Sequence, residues 1–298
     1  MSAAHDAGPA RSVGRAFGDR LAAEFAAGRH LCAGIDPHAP LLADWGLADD
    51  AAGAERMGRE VVAAAAGVAA CVKPQISFFE RFGSAGFAAL ERVLADARDA
   101  GLLVVADVKR GDIGSTFAAY AEAWLAPGSP LEADAMTVAA YMGFETLAGA
   151  FPHVRDHGKG LFVLAATSNP EAREVQLARR ADGRTLAAAM VDDAMRWNAE
   201  HAPGARVGSI GVVLGATLDL GEFEIDTAGR AGAPALPVLA PGFGHQGARI
   251  EDAGRVFGGI GHALLANESR SILAGGAAGL AERVRDRAAV IGEALSRP

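Results

Sequence analysis

Two acidic and two basic side chains are placed where they could form a charge network. Asp107, Lys109 and Asp112 lie in the run D-V-K-R-G-D-I-G-S-T, which ends at Thr116, and Lys73 lies in C-V-K-P-Q. Asp107 and Lys109 are two positions apart, so on a strand their side chains point the same way. Buried charges are unfavourable unless they pair, and two of each sign can alternate. We expect a catalytic network here; the competing interpretation is a salt-bridge cluster that serves only stability.

Lysine is rare in this chain. The sequence has 28 basic residues, and only Lys73, Lys109 and Lys159 are lysine; the rest are arginine. Arginine stays charged and planar, whereas lysine offers a compact ammonium that can donate a proton. A chain that otherwise uses arginine as its cation therefore predicts a special role for each lysine.

A glycine-rich run and an arginine indicate a site for a phosphate group. The run P-G-F-G-H-Q-G occupies positions 241–247, and Arg270 follows L-A-N-E-S. Glycine amides can approach an anion closely, and a bidentate arginine completes such a site. The run alone could equally be a plain turn; with Arg270 it predicts phosphate binding.

The elements that must position these residues are short apolar runs, which predict eight strands. Helix-length segments separate most of them, so the sequence predicts parallel β-α units that close into a (β/α)8 TIM barrel of the α/β class. The charged residues and the glycine-rich run then follow strand ends, where such barrels build their active sites. The predicted strands are 30–36, 70–73, 102–108, 135–140, 161–166, 210–214, 237–240 and 262–266.

The remaining segments predict one catalytic domain over 13–298, preceded by a flexible stretch over 1–12. Helical turns around 15–27 are expected to cap the barrel bottom, and helices are expected over 87–100 and 186–200. The spacing between the fifth and sixth strands is longer than elsewhere and covers 169–209. An insertion after a strand lies on the catalytic face, so this segment is either a lid or an ordinary extra helix.

Composition narrows the class of partner. The formal net charge is −8, which argues against non-specific binding to nucleic acid or to a membrane. Cys32 and Cys71 lie in apolar runs and predict free, buried thiols, as expected in the cytoplasm. The longest apolar run, 61–72, is too short to span a bilayer, and the beginning of the sequence has no signal-peptide pattern. The predicted partner is a small molecule.

The motifs together resemble those of orotidine 5'-phosphate decarboxylases. The run from Asp107 to Thr116 resembles the family signature D-x-K-x-x-D-I-x-x-T. Five further runs occur along the chain in the same order as in the family, over about residues 30 to 275: G-I-D-P, V-K-P-Q, T-S-N-P, P-G-F-G-H-Q-G and S-R. The chain length and the segment after the fifth strand resemble the longer bacterial branch, type 2.

This resemblance implies decarboxylation of orotidine 5'-monophosphate to UMP, the last step of de novo pyrimidine synthesis. It implies that Lys109 protonates C6 of the pyrimidine as carbon dioxide leaves, with Asp107 against the substrate carboxylate. Lys73 would join the network, while Asp112 and Thr116 would complete the partner's site in a homodimer. It also implies that neither a metal nor an organic cofactor is needed.

The resemblance further implies how substrate is bound. Asp36 and Lys73 would bind ribose hydroxyls, and Ser168 would bond the pyrimidine edge. Gln246 would bridge base and phosphate, and the amide of Gly247 with the guanidinium of Arg270 would hold the phosphate. Two rivals remain at this point: a related Mg²⁺-dependent sugar-phosphate decarboxylase or aldolase, and a barrel that only binds a partner.

Overall fold

The apolar runs of the sequence form the strands of a closed barrel. The computed structural model describes residues 15–296, and within them eight parallel strands pair in chain order, with the last pairing onto the first. This confirms the predicted (β/α)8 barrel. The strands are β1 Leu31–Ile35, β2 Cys71–Pro74, β3 Leu103–Arg110, β4 Ala135–Val138, β5 Gly160–Ala166, β6 Ile210–Leu214, β7 Val238–Pro241 and β8 Leu264–Glu268.

Helices cover the outside of the barrel and close one of its ends. Among the described residues they are α1 Phe17–Ala26, α2 Ala39–Asp44, α3 Ala51–Ala65, α4 Ser77–Glu80, α5 Gly83–Asp99, α6 Gly114–Leu125, α7 Phe151–Asp156, α8 Ala172–Gln176, α9 Leu186–His201, α10 Ala253–Phe257, α11 Arg270–Leu273 and α12 Leu280–Leu295. No helix of residues 15–296 is both long and apolar enough to cross a membrane.

Strand and helix positions agree with prediction, apart from a few ends. The stretch expected over 1–12 lies outside the described residues. The predicted start of the last strand is wrong, because Gly258–Ala263 forms a 3-10 helix and the strand begins only at Leu264. The fourth strand ends two residues early, at Val138, and α5 begins four residues early, at Gly83.

Alternate residues of the strands fill the barrel interior, while their neighbours face the helices. Both faces are therefore apolar, which is why the strands appear in the sequence as continuous apolar runs. The interior residues include Cys32, Cys71, Val105, Phe162 and Leu239. The two cysteines are free and buried, as predicted.

The expected cap at the barrel bottom is confirmed as α1. Phe17 enters the interior cluster and meets the Phe162 ring edge-on, with the ring centroids 6.0 Å apart. Arg20 pairs with Asp134 at 2.5 Å and donates to the carbonyl of Gly158 at 2.7 Å. Since Asp134 and Gly158 precede β4 and β5, α1 covers the amino ends of the strands and leaves the carboxyl ends open.

The long segment after β5 divides into two parts. Residues 186–201 form α9, which packs against β5 and β6 as an ordinary barrel helix, so the lid interpretation now applies only to 169–185. That shorter stretch contains α8, whose Gln176 accepts a hydrogen bond from the Thr167 amide at 3.0 Å and donates to its hydroxyl at 3.0 Å. The segment is thus tied to the loop that carries Ser168.

Close approach of α1 to the barrel requires glycine at position 18. A Cβ there would lie 2.1 Å from the carbonyl oxygen of Val207, which is backbone and cannot move aside. We expect Gly18→Ala to lower the free energy of unfolding by about 1–3 kcal/mol, the usual effect of overpacking. The matched control is Gly254→Ala in α10, where a Cβ meets open space. Urea unfolding that gives equal midpoints for the two variants would contradict this packing.

Candidate active site

A cavity of about 400 Å³ opens at the carboxyl ends of the strands. It brings together five of the residues predicted from the sequence: Asp36, Lys73, Asp107, Lys109 and Ser168. The other lining residues are Gln75, Thr137, Leu164, Thr167, Asn169, Val213, Leu239, Pro241 and Asn267. Charged groups lie on one side of this cavity and apolar ones on the other, which suits a ring with one polar and one apolar edge.

The carboxylate of Asp107 is the centre of the charged side. Its Oδ2 accepts from Lys73 Nζ at 2.8 Å, and its Oδ1 accepts from Lys109 Nζ at 2.6 Å. Oδ1 also accepts from the hydroxyl of Thr137 at 2.8 Å. With the Gln75 amide oriented so that both of its atoms are satisfied, its nitrogen donates to Oδ2 and its oxygen accepts from Lys109 Nζ at 3.3 Å.

Burial and charge act in opposite directions on this network, and charge prevails. Burial alone would lower the pKa of Lys73, but the carboxylates of Asp107 and Asp36 raise it above its ordinary value. Burial alone would raise the pKa of Asp107, but the ammoniums of Lys73 and Lys109, with their hydrogen bonds, hold it well below the usual range. The carboxylate and the Lys73 ammonium are therefore both ionised at neutral pH.

The two lysines differ in access to the cavity. The side chain of Lys73 is 6% exposed, whereas that of Lys109 is 46% exposed. Lys73 is enclosed between strand ends, while the Lys109 ammonium faces the open space. Both lysines line the cavity, and Lys109 is the more accessible of the two ammoniums.

Asp107 and Lys109 meet, but not through the regular strand geometry that their spacing predicted. Lys109 is not in extended conformation: its φ is +46°, and the pairing of β3 with β4 shifts between Ala106 and Arg110. A bulge of this kind re-aims a side chain at the end of a strand.

Asp36 has a buried carboxylate oxygen without a hydrogen-bond partner. It follows β1 and lines the cavity, and its Oδ1 is buried without a hydrogen-bonding partner. A buried acceptor left unpaired is unfavourable, so such an atom is expected to be satisfied by a ligand donor.

The predicted phosphate-site residues lie outside this cavity. Gln246 and Gly247 line a larger one, of about 700 Å³, beside the loop after β6. It contains neither lysine, so the smaller cavity is the candidate site. Arg270 is exposed at the start of α11, and its charge acts on His38, two residues after Asp36. The loop after β7 nevertheless lies beside α11, since a Cβ at Gly244 would lie 3.1 Å from the Cβ of Ser271.

Asp112 and Thr116 do not contribute to the site of their own chain. Asp112 accepts from the Ile113 amide at 2.8 Å, and Thr116 is exposed on α6. Four large apolar side chains are exposed in the segments after β3 and β4: Ile113, Tyr120, Tyr141 and Met142. The loops after β3 and β4 that carry these residues are joined by a hydrogen bond from the Ala139 amide to the Arg110 carbonyl at 2.8 Å.

Five polar residues of the site were not singled out from the sequence: Gln75, Thr137, Thr167, Asn169 and Asn267. Gln75 lies in the quoted V-K-P-Q run, two positions after Lys73, which was a usable signal. Thr137 lies in an apolar run, where threonine is an ordinary strand former. The third lysine, Lys159, lies at the opposite end, where its Nζ pairs with Glu132 at 2.6 Å. Lys159 therefore lies outside the candidate site, whereas Lys73 and Lys109 line it.

No group of three or more His, Cys, Asp or Glu side chains within residues 15–296 is arranged to hold a metal ion.

The contribution of the Asp107 charge to the free energy of unfolding should depend on pH. Asp107→Asn leaves two ammoniums facing each other, so we expect about 3–5 kcal/mol of lost stability at pH 7. The folded pKa lies below the unfolded one, so the wild-type advantage is complete above about pH 4 and shrinks as pH falls, by about 1.4 kcal/mol per unit. Urea unfolding between pH 3 and 8 measures this. The exposed Asp99→Asn is the control, and a pH-independent difference would refute the electrostatic account.

Comparison with known proteins agrees with the fold. The family model "Orotidine 5'-phosphate decarboxylase / HUMPS family" matches residues 29–279. An orotidine 5'-phosphate decarboxylase of Nocardioides is 53% identical over 260 residues, covering 86% of this chain and 91% of the relative. One of Corynebacterium glutamicum is 48% identical, covering 87% and 91%. The crystal structure of a putative orotidine 5'-phosphate decarboxylase from Streptomyces avermitilis superposes with a TM-score of 0.87 at 48% identity, covering 95% and 97%. The chain belongs to the orotidine 5'-phosphate decarboxylase family.

Proposed function

We propose that this protein decarboxylates orotidine 5'-monophosphate to UMP and carbon dioxide, the last step of de novo pyrimidine synthesis. The observation that carries the proposal is the pair of ammoniums held by the Asp107 carboxylate at the mouth of the barrel, 2.8 and 2.6 Å from its two oxygens. Family membership supports the same reaction. Loss of carbon dioxide leaves an electron pair at C6 with no conjugated sink, so a fixed cation beside C6 is the chemistry required.

Lys109 is the proton donor in this mechanism. The bond between C6 and the carboxylate carbon breaks, its electron pair stays on C6, and C6 then takes a proton from the Lys109 ammonium. Lys109 suits this role because its side chain is half exposed to the cavity. Lys73 is buried and hydrogen-bonded to the same carboxylate, so it fixes Asp107 and does not compete for the substrate carbon.

Asp36 and Lys73 hold the ribose, and Ser168 contacts the pyrimidine edge. The unpartnered Oδ1 of Asp36 is a ready acceptor for a sugar hydroxyl. Ser168 is exposed on the cavity wall opposite, in the loop after β5. The two sites lie at different strand ends, so a nucleotide can span the cavity between them.

The phosphate is held by the Gly247 amide and the Arg270 guanidinium, with Gln246 bridging phosphate and base. Gly247 has a φ of +98°, a conformation that glycine adopts without strain, and its amide donates to the carbonyl of Gly244 at 3.0 Å, a bond that phosphate would have to replace. Because the loop lies on a separate cavity here, this assignment requires the 244–247 turn to move toward α11 when phosphate binds. Binding energy gained there serves to position the reacting carbon.

We also propose a homodimer that shares its active sites. Ile113, Tyr120, Tyr141 and Met142 are exposed in the segments after β3 and β4, which are linked by the bond from the Ala139 amide to the Arg110 carbonyl. Exposed apolar side chains on adjoining segments are typical of an interface. Asp112 and Thr116 would cross this surface into the partner's cavity.

The proposed reaction needs no cofactor, and we place the protein in the cytoplasm. Cys32 and Cys71 lie on paired strands, yet both thiols are free, which suits a reducing compartment.

The direct test is incubation with orotidine 5'-monophosphate, followed by loss of its ultraviolet absorbance with and without EDTA. Turnover that resists EDTA supports the proposal. EDTA-sensitive turnover of a sugar phosphate would favour the Mg²⁺-dependent rival, and binding without turnover of either substrate would favour a non-catalytic barrel.

Lys109→Arg keeps the charge but enlarges the head group and removes the readily donated proton. We expect kcat to fall by at least about a hundredfold, the usual contribution of general acid catalysis, with UMP still bound by calorimetry. Lys159→Arg is the matched control, since that lysine lies at the other end of the barrel. Substantial turnover by folded Lys109→Arg would reject Lys109 as the donor.

Mixing two inactive variants tests the shared site. In a hybrid dimer of Lys109→Ala and Asp112→Ala, one site carries both defects and the other carries neither. Half the dimers are hybrid, so recovery should approach roughly a quarter of wild-type activity per site. The control mixture is Lys109→Ala with Asp107→Ala, which must stay inactive because these side chains meet within one chain. If native mass spectrometry shows subunit exchange and the first mixture also stays inactive, Asp112 does not act in the partner's site.

A further inference from the structure

The pairing of β3 with β4 is interrupted opposite one residue, Thr137. Ala106 pairs with Met136, and the next paired residues are Arg110 and Val138. Three residues of β3, 107 to 109, therefore stand opposite the single residue 137. In a regular parallel pair the count would be equal, so the bulge lies entirely on the strand that carries the charged residues.

The Thr137 side chain occupies the gap that this bulge creates. Its hydroxyl oxygen accepts a hydrogen bond from the Lys109 amide at 2.9 Å. The same hydroxyl donates its one proton to Asp107 Oδ1 at 2.8 Å. Thr137 is 1% exposed, so water cannot easily replace either bond.

Both bonds act on the geometry of the Lys109 ammonium. Lys109 has a φ of +46°, which is unfavourable for a residue with a Cβ and must be held by its surroundings. The bond to its amide holds that backbone. The bond to Oδ1 fixes the oxygen that also binds the Lys109 ammonium, at 2.6 Å. One hydroxyl thus controls both ends of the lysine, the backbone from which it starts and the oxygen against which its head group lies.

We propose that Thr137 is a positioning residue for proton transfer from Lys109, acting through its hydroxyl. This inference rests on the proposed function, because it concerns the proton donor of that reaction. Thr137 itself need not touch substrate: its only proton is committed to Asp107. Its effect should therefore appear in the chemical step and leave binding of ribose and phosphate, at other strand ends, nearly unaffected.

Thr137→Val and Thr137→Ser form the matched pair for the test. Valine keeps the volume and branching but removes both hydrogen bonds; serine keeps the hydroxyl. For Thr137→Val we expect kcat to fall about ten- to a hundredfold, as for loss of a hydrogen bond to a charged group. KM and the Kd for UMP should change by less than about threefold. Thr137→Ser should restore most of kcat.

Hydrogen exchange at the Lys109 amide gives a second measurement that does not depend on turnover. Loss of its acceptor in Thr137→Val should speed exchange at this amide, and Thr137→Ser should keep it protected. If Thr137→Val does not fold, the same measurements on Thr137→Ala decide. Wild-type protein that fails to decarboxylate orotidine 5'-monophosphate would overturn the proposed function, whereas amide protection would still report on the hydroxyl.

The proposal is overturned by any of three results. One is an unchanged kcat in Thr137→Val. Another is a parallel loss of kcat and of UMP affinity, which indicates general damage to the site. The last is a kcat that serine does not restore although the Lys109 amide is protected, since the hydroxyl would then be present without effect.

Discussion

The site depends on one buried carboxylate whose acceptor positions are all engaged. Asp107 is bound by Lys73, Lys109, Thr137 and Gln75, with two donors at each oxygen. A carboxylate offers about four acceptor positions, so this one has little freedom to rotate. The lysines consequently have defined places relative to each other. An ammonium fixed before substrate arrives needs no reorganisation when charge develops beside it, which is the advantage of a preorganised site.

The two ends of the barrel use similar ion pairs for different purposes. At the amino ends, Arg20 pairs with Asp134 and Lys159 with Glu132. These contacts join α1 and the start of β5 to the segment that precedes β4. At the carboxyl ends, the Asp107 network faces a cavity and leaves the Lys109 ammonium accessible. This division follows the general pattern of such barrels, in which one face provides stability and the other chemistry.

The sequence predicted the barrel well because its strands are buried on both faces and so form distinct apolar runs. It also predicted Asp36, Lys73, Asp107 and Lys109, since a charge that ends an apolar run is conspicuous. The bulge at Lys109 was not predictable, because nothing in D-V-K-R distinguishes a bulged strand end from a regular one. Thr137 was missed for a related reason: its importance comes from the bulge opposite it. Lys159 precedes its strand rather than following it, a difference that could have separated it from the other two lysines.

Docking of α1 has a consequence for the order in which the chain can fold. The amide of Gly18 donates to the hydroxyl of Ser209 at 3.1 Å, a contact between residues 191 positions apart. During synthesis, therefore, the first helix cannot reach its final position until β6 has left the ribosome. Until then its apolar face, including Phe17 and Leu21, lacks the part of its native cluster that comes from Val207 onward. Contacts of such long range slow folding and prolong exposure of apolar surface. The nascent chain must keep this helix soluble through most of translation.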